Sequence, residues 1–147
     1  MSDMRLYTIG FTKKSAEHFF AALKQAGVRR VIDVRLHNVS QLAGFAKRGD
    51  LPYFLREICA IDYDHRPDLA PTADLLAAFR RKSIGWNVYE REFGALLRAR
   101  SVEKGLSRHV LDNACLLCSE PDAAHCHRRI VAEYLRDTMG GISICHL

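Results

Sequence analysis

Three short stretches of the chain gather residues able to do chemistry. They are Gly10-Phe11-Thr12, Asp33-Val34-Arg35, and Cys118-Ser119-Glu120 with His125-Cys126-His127-Arg128 close behind. Arg35 and Arg128 offer fork-shaped donors that match a phosphate or carboxylate. Glu120 and Asp33 can take or give a proton if burial or a neighbouring charge tunes them. Cys126 is a candidate nucleophile, active as its thiolate. Gly10, Thr12, Cys118 and His127 complete a candidate binding wall. Each residue also has a plainer reading. Asp33 and Arg35 can be a structural ion pair or loop clamp. A buried cysteine is commonly an inert small hydrophobe. Glu120 can simply cap the helix that follows it.

Two further constellations are weaker. Cys115-Leu-Leu-Cys118 has redox-pair spacing, but in a strand positions i and i+3 face opposite sides. A catalytic thiol pair needs a turn entering a helix. Cys118, Glu120, Cys126 and His127 are residue types that zinc accepts. Adjacent Cys126 and His127 would diverge by about 100° on a helix, and no paired C-x2-C knuckle exists. Neither a metal nor a cofactor is therefore expected. The chain has five cysteines, an odd number, without a secretory pattern, so free thiols are expected.

These residues need elements to position them. Residues 5–9 read as a strand stopping at Gly10. A helix should follow with Ser15 as N-cap and Glu17 in its first turn. Ala16, Phe19, Phe20 and Leu23 form its apolar stripe, and Gly27 closes it. Residues 31–34 are a short apolar run that suits a parallel strand covered on both faces. Strand, helix and strand make a right-handed βαβ unit. Residues 39–49 read as a loop or short helical turn. Residues 51–59 read as a helix burying Leu51, Phe54, Leu55 and Ile58, and residues 61–63 as a short strand. After a connector at 66–71, helices are expected over 72–82 and from 87 to about 100. The second buries Tyr89, Phe93, Leu96 and Leu97. Residues 114–118 are the clearest late strand, and Pro121-Asp122 turn the chain into a helix ending near Met139. Ile130, Val131, Tyr134 and Leu135 form that helix's stripe, and Gly140-Gly141 stop it before a terminal strand over 142–146.

Alternating strands and helices predict a Rossmann-like α/β fold: three layers around a mostly parallel sheet, as one domain over residues 1–147. Ligands of such folds sit beyond the carboxyl ends of the strands. The three chemical stretches all fall there. Cys126 and His127 precede Ile130 and Val131 by four residues, so they should face the sheet edge. The helix N-terminus would favour an anion and a Cys126 thiolate.

Composition bounds the class. Hydrophobic residues make up 48% and charged residues 27% of 147, the balance of an ordinary globular domain. No apolar run approaches the roughly 18 residues of a membrane span, and no apolar h-region stands at the N-terminus. A cytoplasmic address and no membrane partner are expected. The formal charge is +5, which favours anionic partners. However, Lys13-Lys14, Arg29-Arg30 and Arg80-Arg81-Lys82 are short separate runs. They suit solvated surface better than a nucleic-acid stripe.

Taken in order, Thr8-Ile9-Gly10, Asp33-Val34-Arg35, Cys118-Ser119-Glu120 and Cys126-His127-Arg128 resemble the bacterial and archaeal domain-of-unknown-function family 488. The resemblance runs along essentially the whole chain, through the terminal strand ending at His146. It implies a Rossmann-like α/β fold and a site at these motifs, and it names no reaction. Three departures stand out. Phe11 occupies a position where a His often follows the first Gly. The segment from Leu36 to Gln41 lacks the usual Pro and final Arg, which removes one candidate anion contact. Leu69-Ala70-Pro71 replaces a Leu-Gly-Gly tendency; Ala and Pro cannot freely take positive φ, so that loop should differ.

The leading expectation is an enzyme-like pocket for a small anionic or nucleotide-like substrate, working by transfer or hydrolysis. Arg35 and Arg128 would hold the anion. Glu120 or Asp33 would handle protons, and Cys126 would be nucleophile or polariser. One rival is a nucleic-acid-associated module taking a flipped base or strand end, helped by positive charge and by Trp86 and Tyr89 if these are exposed. The other is a purely structural polar knot, which would leave no cavity. Nothing in the sequence sets an oligomeric state.

Overall fold

Runs rich in Leu, Ile, Val and Cys become the strands of one sheet. The computed structural model describes residues 4–37, 44–47, 49–120 and 123–147. Part of the expected loop at 39–49 and the expected Pro121-Asp122 turn lie outside the described residues. The strands are β1 (Met4–Gly10), β2 (Arg30–Asp33), β3 (Asp62–His65), β4 (Ala114–Cys118) and β5 (Ile142–His146). Their order is β3-β2-β4-β1-β5, and every pairing is parallel. β4 is buried at all five positions, as a central strand covered on both faces must be.

Helices cover both faces. On one side α1 (Ala16–Ala26) packs Phe19, Phe20 and Leu23 against Ile9, Val31 and Leu117. Ser15 accepts from the His18 N–H at its start, and Gly27, at φ 74°, ends it. Ala16 is exposed, so the expected stripe is narrower by one residue. The same side takes α2 (Leu51–Phe54), which continues as a π-helical turn over Leu55–Cys59. Leu51 and Leu55 are buried there, but Ile58 is 45% exposed. Five-residue hydrogen bonding widens the turn and carries Ile58 off the stripe expected for it.

On the other face lie α3 (Ala73–Arg80), α4 (Trp86–Arg100) and α6 (His127–Met139), with a short α5 (Arg108–Leu111) between the last two. α4 buries Tyr89, Phe93 and Leu97. α6 buries Ile130, Val131 and Leu135 together with Arg128 and Ala132. Leu96 and Tyr134 are only half-buried. The third strand begins one residue later than expected, at Asp62. α5, capped by the Ser107 hydroxyl, was not anticipated. Ala70 is extended at φ −102° and its carbonyl accepts from Arg100, so this loop avoids positive φ. Among the described residues no helix is long and apolar enough to cross a membrane.

The connection leaving β2 runs over one face, whereas that leaving β4 runs over the other. Neighbouring strands whose connections part in this way open a crevice at their carboxyl ends. β1, β2 and β4 end together there: Gly10 pairs with Cys118, and Asp33 pairs with Leu117.

Candidate functional site

The crevice holds a cavity of about 540 Å³. Thr12 reaches it from the end of β1, and Arg35 and His37 from the end of β2. Cys118, Ser119 and Glu120 line it from the end of β4, with His125, Cys126 and His127 from the entry to α6. Across from them stand Phe79 and Arg80 of α3 and Tyr89 of α4. Of the residues expected from sequence, Thr12, Arg35, Cys118, Glu120, Cys126 and His127 thus share one wall. Gly10, Asp33 and Arg128 are not among the lining residues; they stand behind it.

Asp33 is fully buried and its carboxylate is heavily committed. Oδ1 accepts from the backbone N–H and Nε of Arg35, at 3.2 and 2.8 Å. Oδ2 accepts from Arg35 Nη2 at 2.8 Å and from the Tyr63 hydroxyl at 2.6 Å. These contacts clamp Arg35 in place, the ion-pair arrangement that the sequence also allows for the two residues. Arg35 Nη2 also donates to the Ala46 carbonyl at 2.7 Å. The guanidinium lies 5.0 Å from the centroid of the Phe11 ring. Arg35 is 3% exposed, and its Nη1 is buried with no hydrogen-bond partner among the described residues.

The end of β1 holds the end of β4. Thr12 donates through its backbone N–H and its hydroxyl to the Ser119 carbonyl, at 3.1 and 2.5 Å. A Cβ on Gly10 would overlap the Glu120 carbonyl oxygen, so glycine is needed there for close approach. Arg128, fully buried, donates through Nη1 to that same carbonyl at 2.5 Å and to Cys118 Sγ at 3.4 Å. It stands behind the wall and is not among the residues lining the cavity. Glu120 is exposed at the cavity. It does not cap α6, whose N-cap is Cys126.

Cys118 and Cys126 form a disulfide, and Cys59, Cys115 and Cys145 are free. The expectation of five free thiols is thereby corrected. The end of a strand and the cap of the next helix meet over Gly10, a juxtaposition that eight residues of sequence spacing do not reveal. A Cys126 held in a disulfide is no nucleophile, and at 2% exposed it would not outcompete the exposed Cys145 for an alkylating reagent. Cys115 is fully buried, and burial raises its thiol pKa.

His127 opens α6 and turns its ring under the sheet edge. Its Nε2 lies 2.7 Å from the Val34 carbonyl oxygen, an acceptor, so Nε2 carries the proton. Burial pulls its pKa down to about 4; the Val34 contact opposes this shift and the Arg128 charge adds to it. The ring is neutral at neutral pH, with Nδ1 as its lone-pair atom. Beside the site, Lys14 is held below its ordinary pKa by burial and then by the Arg128 charge.

The far wall is aromatic. Phe79 stacks on Tyr89 with centroids 4.5 Å apart, and Trp86 meets His125 at 5.1 Å. Tyr89 is 2% exposed and Trp86 is half-buried. Tyr89 is therefore closed off and Trp86 partly so, because both are used in packing α3 against α4. Sequence reasoning missed Arg80, Phe79 and His37 as wall residues. In the sequence Arg80 reads with Arg81 and Lys82 as solvated charge, and only the helical phase of α3 singles it out.

No curated protein and no solved structure matches the chain. One family model, described as Domain of unknown function DUF488, matches residues 15–135. That span takes in β2, β4 and most of α6, and with them almost every side chain that builds the cavity, so this chain belongs to the DUF488 family.

Proposed function

We propose that the protein binds a small anionic, nucleotide-like molecule in this cavity and acts on it by transfer or hydrolysis. The observation that carries the reading is Arg35. Its guanidinium is fixed on one side by Asp33 and Ala46, while the buried Nη1 has no acceptor among the described residues. A buried donor without a partner costs about 1–3 kcal/mol, and an anionic oxygen would recover it. Arg80 adds a second cation to the wall, and Phe79 with Tyr89 supplies apolar surface suited to a ring. Glu120 is the carboxylate placed to exchange a proton with what binds.

The rivals lose ground. A sealed polar knot would leave no room of this volume, and a strand-binding surface would leave Tyr89 and Trp86 open. Titration calorimetry with AMP, pyrophosphate and adenosine tests the proposal. AMP and pyrophosphate should bind and adenosine should not. Arg80→Ala should weaken AMP roughly tenfold or more, the usual worth of a charge-assisted hydrogen bond, without lowering the melting temperature. Equal binding of adenosine and AMP, or no binding of either anion, would overturn it.

A further inference from the structure

Sequence spacing argued against a metal here because neighbouring helical residues diverge. The structure removes that objection. Cys126 is not in the helix: it is the N-cap, extended at φ −124° and ψ 140°. It can therefore turn toward the same point as His127. The donor atoms of Cys118, Cys126 and His127 all lie within 4.8 Å of one another. All three residues line the cavity. From these positions we infer that, once the Cys118–Cys126 disulfide is reduced, the two thiolates and His127 Nδ1 form a zinc site with its fourth position toward the cavity.

Three observations support this site besides proximity. The first is the Cα–Cα distance of 7.6 Å between the cysteines, wider than the roughly 4.4–6.8 Å usual for half-cystines. An ion held by two bonds of about 2.3 Å keeps its sulfurs roughly 3.8 Å apart, which suits the wider backbone. The second is the orientation of His127. Metal-bound histidines commonly donate their other ring N–H to a carbonyl, which fixes the tautomer, and Nε2 does this to Val34. The third is Arg128 Nη1, 3.4 Å from Cys118 Sγ, where an N–H donor stabilises a thiolate. Two sulfurs and one nitrogen with an open position is the ligand pattern of catalytic rather than structural zinc.

The chemistry balances as a reduction followed by an exchange. A dithiol or phosphine reductant supplies two electrons, and with two protons the S–S bond becomes two thiols. Zinc then displaces both thiol protons as the two Zn–S bonds form. The site is independent of the anion proposal, because it is read with the metal alone.

The test uses the full chain with cobalt(II) as a spectroscopic stand-in and zinc as competitor. Protein reduced with a phosphine should bind a single cobalt ion with thiolate-to-metal charge-transfer absorption, which zinc then abolishes. Air-oxidised protein should show none. Cys126→Ser should lose the absorption under reducing conditions, and Cys59→Ser and Cys145→Ser should keep it. In unaltered reduced protein, native mass spectrometry should find one zinc per chain, with none on the oxidised protein, so the result does not depend on a variant folding. Absence of metal uptake by reduced protein would overturn the inference. So would charge-transfer absorption that survives Cys126→Ser, or zinc bound equally well by the oxidised protein.

Discussion

At Asp33 four hydrogen bonds converge on one buried carboxylate, three from Arg35 and one from Tyr63. A side chain so occupied positions others. Asp33→Ala would leave the Arg35 guanidinium buried without its counter-charge. Breaking such a pair costs about 3–5 kcal/mol, which for a chain of this length lowers the melting temperature by roughly 10 °C. Calorimetry on the variant checks this, and a loss below about 1 kcal/mol would mean that the clamp does not hold Arg35. Glu120 has the opposite character, since it is exposed and lies at the cavity.

The strand ends decide where these residues meet. Gly10 lets the backbone after β4 pass close enough for the Glu120 carbonyl to accept from Arg128. Gly10→Ala should push that segment away, cost about 1–3 kcal/mol as an overpacked site does, and weaken AMP binding at the same time. An alanine variant with unchanged melting temperature and unchanged affinity would show that the close approach is not needed. Much of this scale is legible in the sequence. β4 and β5 are uninterrupted strand runs between breakers, and Ser15 and Gly27 cap α1 as their types dictate. Other features have no local signature. The spacing of Leu51, Leu55 and Ile58 is the same whether the turn is α or π, so Ile58 reads as buried. Cys126 reads as part of the helix's first turn, and only its extended backbone shows that it is the cap. The disulfide joins two elements across eight residues, and the register of β1 beside β4 is what brings them together.

On the scale of the molecule, a five-stranded parallel sheet converts three distant sequence stretches into one edge. The charge of +5 is dispersed over the chain, yet Arg35 and Arg80 face the cavity with Arg128 just behind it. The position of the cavity follows from topology, since the connections of β2 and β4 part on opposite faces, and the anion binding proposed for it rests on these cations. Arg35 Nη1, buried with no hydrogen-bond partner among the described residues, is proposed to take an anionic oxygen. A crystal of the protein soaked in AMP tests it most directly. The account predicts phosphate density in the cavity within hydrogen-bond distance of Arg35 Nη1, with Arg80 closing on it. AMP bound elsewhere on the surface, or a cavity without density at saturating AMP, would contradict it.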